Sequence, residues 1–487
     1  MTERASTAAA RTPRVGIIGA GPGGLCMAIR LLEAGLDDLV VFERGEGVGG
    51  TWYHNRYPGC ECDVASHLYS FSFEPYPDWS KPFGTQPEIR AYMEHCAAKY
   101  GVTPYLRLGC GVRRADWDAV ASCWRVELEA LPRLGLDFLV GAVGMFGEPV
   151  WPQIPGREDF AGTAFHSARW NEGHDLAGER VAVIGSAASA VQLVPVIARE
   201  VAHLDVYQRT ANWVGPKQDE PYDATRLEGF RRDPGAIRAV RDEIYAGVNA
   251  LVSYDPAALA VAERAARAAI EVVRDPATRR ALTPTHPFGC KRPLISNDWY
   301  PTFNRSNVEL VTEPIEAITP TGTRLASGEE RTYDTLIFAT GFETTRFLSA
   351  VDVRGPGGRS LSEAWREGAI AYKGVLTAGF PNLFMLYGPN TNNGSILYMI
   401  ERQVDYALRQ IRRVWETGRR TVEVRPEAMF AYNETLQARI AGVDVWQADC
   451  HGYYRAPSGR IVTQYPGDMD DYRRLMTESD DDALHLA

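Results

Sequence analysis

The sequence predicts an α/β fold with two Rossmann-like dinucleotide-binding domains and a mostly helical insertion. Three observations carry that prediction. One pattern (strand, glycine turn, helix, strand) occurs twice, at residues 14–43 and 180–209. Each copy is followed by an apolar segment that opens on aspartate and ends on glycine, DFLVGAVG at 137–144 and DTLIFATG at 334–341. Between the halves, residues 215–279 turn to Ala, Arg and Glu at helical spacing.

The first copy reads RVGIIGAGPGGLCMAIRLLEAGLDDLVVFE. Its strand runs into Gly19-x-Gly21-x-x-Gly24, in which Gly19 makes the turn, Gly21 lets the backbone approach a pyrophosphate, and Gly24 lets helix and strand pack closely. The helix N-terminus adds a positive dipole, and Glu43, closing the second strand, is placed to accept hydrogen bonds from a ribose. The segments at 137–144 and 334–341 each read as a buried strand with a tight exit on small residues. The second copy, RVAVIGSAASAVQLVPVIAREVAHLDVYQR, has Gly185, Ser186, Ala187, Ser189 and Ala190 in the turn region and Gln192 on the helix. The spacing from Gly19 to Glu43 equals that from Gly185 to Arg209, 24 residues in both. Arg209, followed by Thr210, cannot accept from ribose hydroxyls but can grip a 2′-phosphate. The first unit therefore fits FAD and the second NADPH. On this reading residues 1–149 and 370–487 form the FAD-binding domain, 150–214 and 280–369 the NADPH-binding domain, and 215–279 the helical insertion. The stripe PAALAVAERAARAAIEVVR at 256–274 packs against the nucleotide lobes, and the acidic tail after Met476 is expected to be mobile.

Composition narrows the partners. At 487 residues the chain is long enough for two or three lobes, and 45% hydrophobic with 23% charged side chains excludes a mainly disordered chain. Its 52 basic and 62 acidic residues give a net charge of −10, which repels phosphate backbones and anionic lipid, so neither nucleic acid nor a membrane is an expected partner. No apolar run reaches the roughly 18 to 20 residues of a membrane span, and Met1 to Pro13 lacks the apolar core of a secretory signal. The expectation is a soluble, cytoplasmic chain with a frayed leader. The eight cysteines, at 26, 60, 62, 96, 110, 123, 290 and 450, are too sparse for a disulfide framework. The nine histidines form no ligand-spaced cluster, so no metal is expected.

Residues 160–170, Phe160-Ala-Gly162-Thr-Ala-Phe-His166-Ser-Ala-Arg-Trp170, resemble the F-x-G-x-x-x-H-x-x-x-W fingerprint of type I Baeyer–Villiger monooxygenases and, like it, precede the second glycine turn. The resemblance extends through GGTWYHNRYPGCECD at 49–63, HPFGCKR at 286–292, LIFATGF at 336–342 and FPNLFMLYGPNT at 380–391. It implies insertion of one atom of O2 beside a ketone carbonyl to give an ester or lactone, by way of a flavin peroxide kept deprotonated and sheltered from water. It also implies that Arg292 is the fixed cation near the developing oxyanion and Asp63 the aspartate that orients it. Lys291 joins Arg209 and Thr210 at the 2′-phosphate. Gly50, Thr51, Trp52, Tyr57 and Tyr69 are implied flavin contacts, with Gln86 a further one, and Tyr453 stands where many relatives carry a tryptophan over the cofactor. His166 and Trp170 are implied to couple NADPH binding to lobe motion.

Some positions depart from the family pattern. Ala187 replaces the glycine of closest pyrophosphate approach, so its methyl costs contact distance or a small backbone shift; Asn171 and Val143 depart as well. Two other functions compete. A flavin monooxygenase acting on nitrogen or sulfur would share part of the fingerprint but not Trp170 with the Lys291-Arg292 pair. A non-oxygenating FAD/NADPH oxidoreductase would need a dithiol, for which Cys60-x-Cys62 has the wrong spacing. The ketone and the oligomeric state are not legible in the sequence.

Overall fold

The computed structural model describes residues 12–129, 132–449 and 452–487; the expected frayed leader falls mostly in residues 1–11, outside the described residues. Ten strands build two parallel sheets. In chain order they are β1 (Val15–Ile18), β2 (Leu39–Phe42), β3 (Leu106–Arg107), β4 (Phe138–Gly141), β5 (Thr163–His166), β6 (Arg180–Ile184), β7 (His203–Tyr207), β8 (Val308–Val311), β9 (Thr335–Phe338) and β10 (Leu383–Met385). The first sheet runs β10-β4-β1-β2-β3 and the second β5-β9-β6-β7-β8, every pair parallel. The two orders are the same: an outer strand, the closing strand, the glycine strand, then the second and third strands. β1, β4 and β9 are buried along their whole length, which is why they read as unbroken apolar runs rather than alternating ones.

The repeated aspartate before each closing strand has a structural cause. The Asp137 carboxylate accepts the Arg14 backbone N–H at 2.7 Å, and the Asp334 carboxylate accepts that of Arg180 at 2.8 Å. Each aspartate thus satisfies the amide at the start of the glycine strand beside it.

Helices α1 (Pro22–Glu33) and α2 (Ala188–Ile197) follow the two glycine turns. Residues 224–282 hold α3 (Ala224–Arg232), α4 (Pro234–Leu251), α5 (Pro256–Ile270) and α6 (Pro276–Leu282). The last three start on Asp-Pro: Asp233, Asp255 and Asp275 accept first-turn N–H groups, and the prolines occupy positions whose N–H would be unused. Leu259, Ala266 and Ile270 of α5 face inward, and Arg267 lies over the Trp213 ring at 4.8 Å.

The repeat also includes antiparallel strands that the motifs did not announce. Between third and closing strands, the first half carries Val112–Asp118, Cys123–Leu128 and Leu134–Leu136, and the second Ile315–Thr319, Gly322–Leu325 and Glu330–Thr332. The C-terminal tail corrects an expectation. Leu484–Leu486 pairs antiparallel with Val422–Val424, Leu484 is buried, and the buried Asp480 accepts from Tyr406 Oη at 2.5 Å. The tail is docked because its acid meets a hydroxyl on α7 (Ile396–Glu416), the helix that packs on α1. No helix among the described residues is long and apolar enough to cross a membrane.

Candidate active site

Both glycine turns open onto one cavity of about 1280 Å³. In each half the first glycine is obligatory: Gly19 (φ +103°) and Gly185 (φ +121°) lie in the left-handed region, and a Cβ would fall 2.7 Å from Ala142 O and 2.3 Å from Ala339 O. Gly24 faces helix packing rather than the cavity, since a Cβ there would lie 1.8 Å from Gly19 O. The corresponding Ala190 is likewise fully buried and does not line the cavity. Gly21 is different: its nearest neighbour to a Cβ is Gly50 Cα at 3.5 Å, so the space beside it belongs to the cavity. Ala187 stands in the same extended conformation (φ −95°, ψ −160°) as Gly21 (φ −74°, ψ −174°). Of the two costs expected at Ala187, the backbone needs no shift, and the methyl's bulk is the one that remains.

Glu43 is held in place from its own turn: its Oε2 accepts the Ala20 N–H and its Oε1 the Gly45 N–H, both at 2.8 Å. Those bonds fix the carboxylate at the cavity wall and leave lone pairs for a second donor. Gly50, at φ +57°, closes against Gly21. Thr51 and Trp52 follow it into the wall, where the Trp52 indole N–H donates to Tyr69 Oη at 3.1 Å. Gln86 does not reach the cavity; its amide donates to Trp52 O and so supports that wall from behind.

The second half supplies cations. Arg209, Thr210 and Lys291 all line the cavity, and Lys291 Nζ donates to Thr210 Oγ1 at 3.0 Å. Burial and the neighbouring Arg209 charge push Lys291 down from its ordinary value. Two like charges facing one another with no carboxylate between them fit an anion. Ser186, Ala187 and Ser189 line the same end.

Arg292 stands where the halves meet. Its Nε donates to Asp63 Oδ2 at 2.8 Å and its Nη2 to Asp63 Oδ1 at 2.5 Å. Asp63 raises the guanidinium further above its ordinary value despite burial, so Arg292 stays charged at any working pH, with Nη1 unbonded among the described residues. Tyr57 Oη donates to Gln192 Oε1 at 2.8 Å, and Gln192 Nε2 donates to Glu61 O at 2.8 Å, so a side chain of α2 grips the loop that carries Asp63.

A full-length relative decides the family. A profile described as NAD(P)-binding Rossmann-like domain matches residues 17–84. A Baeyer–Villiger monooxygenase of Pseudomonas aeruginosa is 41% identical, the match covering 100% of this chain and 94% of that one. The chain belongs to the Baeyer–Villiger monooxygenases. Among solved structures, an oxidized steroid monooxygenase bound to NADP is 31% identical with a TM-score of 0.87, covering 98% of this chain and 99% of that one. OTEMO in complex with FAD and NADP is 28% identical with a TM-score of 0.88, covering 98% and 100%.

This Baeyer–Villiger monooxygenase surrounds Arg292 with tyrosines that sequence reasoning assigned only in part. Tyr453 lines the cavity, packed edge-on to Phe146 and Tyr454 with ring centres 6.0 and 4.9 Å away. Tyr387 was missed: it also lines the cavity and donates to Asn392 Oδ1 at 2.8 Å. Its one signal was its place inside the FPNLFMLYGPNT segment. Burial raises Tyr387 well above its ordinary value, which keeps it a neutral hydroxyl. His166 is fully buried off the cavity, with Nδ1 accepting the Ala168 N–H at 3.0 Å and its ring against Trp151 and Phe342. Burial pushes it down to about 4, so it is neutral. Trp170 packs edge-on to Phe165, 5.0 Å between ring centres. The fold also gathers His203, Asp205 and Glu309, but Arg331 already bonds both acids at 3.0 and 2.7 Å.

Proposed function

We propose that this chain is an FAD- and NADPH-dependent Baeyer–Villiger monooxygenase that inserts one oxygen atom of O2 beside a ketone carbonyl, releasing an ester or lactone. The observation that carries this reading is the Arg292–Asp63 pair, a permanent cation bonded through two nitrogens beside two glycine turns that open on one cavity. Family membership supports it.

The residues fit both cofactors. Glu43, Gly19 and Gly21 would hold the FAD ribose and pyrophosphate, with Gly24 behind them, and Gly50, Thr51, Trp52, Tyr57 and Tyr69 the flavin. Gly185, Ser186, Ala187, Ser189 and Gln192 would hold NADPH, with Ala190 behind them and Arg209, Thr210 and Lys291 on its 2′-phosphate. This assigns residues 1–149 and 370–487 to FAD, 150–214 and 280–369 to NADPH, and 215–279 to the insertion. Bound FAD, reduced by NADPH, supplies the activated oxygen. Arg292 offers Nη1 to the oxygen on which negative charge develops, while Asp63 fixes the guanidinium plane and prevents it from turning away. Trp52, Tyr69, Tyr387 and Tyr453 shelter the reacting centre from water.

The cavity wall is mostly apolar, which suits an apolar ketone. The cytoplasm, as a source of NADPH, is the proposed location. The test is mass spectrometry of products formed from a ketone panel under 18O2 with NADPH. One 18O per ester is the expected result; unlabelled ketone with stoichiometric hydrogen peroxide, or oxygenation of amine or sulfide controls alone, would overturn it.

A further inference from the structure

Two residues before Asp63, Glu61 enters a closed ring of four charges. Lys81 Nζ bonds Glu61 Oε2 and Asp219 Oδ2, both at 2.6 Å. Lys217 Nζ bonds Glu61 Oε1 and, at 3.0 Å, Asp219 Oδ2. Each charge therefore has two opposite neighbours. The Lys217 side chain is only 5% exposed and its ammonium also lies over the Phe83 ring at 4.8 Å, so these charges interact with little screening.

The ring's place in the chain gives it a further meaning. Val214–Gly215 pairs in parallel with Leu294–Ile295, and just beyond that pairing Lys217 N donates to Asn297 Oδ1 at 2.9 Å while Asn297 Nδ2 returns a bond to Lys217 O at 2.7 Å. Lys217 is thus fastened to the segment that begins with Arg292. Glu61 is on the segment that ends with Asp63. The Glu61–Lys217 bond joins the same two segments as the Arg292–Asp63 pair, on a second line beside it. A bidentate pair held by one line can pivot; held by two, it keeps its distance and its plane.

We propose that the Glu61–Lys217 bond sets the register between Asp63 and Arg292, which makes Glu61 and Lys217 positioning residues for the catalytic arginine. The inference rests on the role given to Arg292 above. Lys81 and Asp219 complete the ring's charge balance but do not connect those two segments: Lys81 lies outside both, and Asp219 reaches Arg292's segment only through Lys217.

The ring provides its own controls. Glu61→Gln, Lys217→Met, Lys81→Met and Asp219→Asn each remove two of the four ion pairs, but only the first two break the Glu61–Lys217 bond. Melting temperature should fall to a similar degree in all four. In Glu61→Gln and Lys217→Met, ester formed per NADPH consumed should fall about tenfold, since an ångström of misplacement costs up to about 100-fold, while the rate of flavin reduction by NADPH stays within about twofold. In Lys81→Met and Asp219→Asn the coupling should hold. The second readout uses protein without cofactor: phenylglyoxal, which reacts with guanidinium groups, should modify Arg292 about tenfold faster in the two bond-breaking variants, read by peptide mass spectrometry. Glu61→Gln and Lys217→Met break one bond in two independent ways, so either alone is decisive if the other fails to fold. Coupling and Arg292 modification that follow melting temperature across all four variants would overturn the proposal. Should Arg292→Ala itself keep forming ester, the reading of Arg292 fails instead, and the phenylglyoxal contrast still reports on the ring.

Discussion

Arg209→Ala tests which end of the cavity takes the nicotinamide cofactor's extra phosphate. Arg209 and Lys291 have no carboxylate partner among the described residues, and Lys291 is held below its ordinary value by burial and by Arg209. A dianionic phosphate would remove that repulsion and accept from both. A hydrogen bond to a charged group contributes about 1.5–3 kcal/mol, and about 1.4 kcal/mol is tenfold in affinity. Because Arg209 is exposed, the lower end applies: about a tenfold loss of NADP+ affinity, greater at low salt, where the screening length exceeds about 8 Å. NAD+ lacks the phosphate and should bind the variant as it binds the parent. The assay is calorimetric titration of both nucleotides. It carries a proton signature as well: phosphate binding raises Lys291 towards its ordinary value, so in mildly alkaline buffer NADP+ should take up protons on binding and NAD+ should not. An unchanged NADP+/NAD+ affinity ratio would refute the reasoning and show that the repeated 24-residue spacing misplaced the phosphate.

Other substitutions separate packing from binding. Gly24→Ala should lower the melting temperature and the flavin-loaded fraction together, because its Cβ would lie 1.8 Å from Gly19 O; Gly21→Ala, whose Cβ meets protein only at 3.5 Å, should keep apoprotein stability and lose FAD, checked by scanning calorimetry and bound-flavin absorbance. Removing residues 478–487 should destabilise the fold by at least about 2 kcal/mol, the scale of one buried leucine such as Leu484, read from urea unfolding. His67 is pushed down to about 4 by burial and by Arg226 and Arg241. Its folded value lies below its unfolded value, so stability is present above pH 6.5 and falls as pH drops towards 4; His67→Phe should flatten that part of the stability profile.

The parts of this molecule that the sequence disclosed are those set by local geometry. The turn at Gly19 and that at Gly185 need a left-handed residue against a strand carbonyl, so glycine at those positions carries its reason with it. The closing strands were legible because burial on both faces leaves an unbroken apolar run and because an aspartate caps the neighbouring strand. What stayed hidden depends on contacts remote in sequence. Glu61, Lys81, Lys217 and Asp219 gather through contacts remote in sequence: the Glu61–Thr85 bridge brings Lys81 near, and the pairing of 214–215 with 294–295 ties the segment leading to Lys217 and Asp219 to that of Arg292. Tyr387 lines the cavity and donates to Asn392, within a turn whose motif is visible in the sequence but whose side-chain directions are not. The tail was misread because acidic composition does not reveal that Asp480 has a tyrosine waiting on α7. At Ala187 the sequence leaves two costs open, contact distance or a small backbone shift, and the extended backbone there, one any residue adopts, leaves the methyl's bulk.

The central claim is that Arg292, held by Asp63, is the cation on which oxygen insertion depends. The most direct measurement follows Arg292→Ala through both halves of the cycle, first anaerobic flavin reduction by NADPH in a stopped-flow spectrometer, then ester and hydrogen peroxide after oxygenated ketone is added. The expected result is reduction within a few-fold of the parent, no ester, and NADPH oxidation matched by hydrogen peroxide. Ester formed by that variant at the parental rate would contradict it.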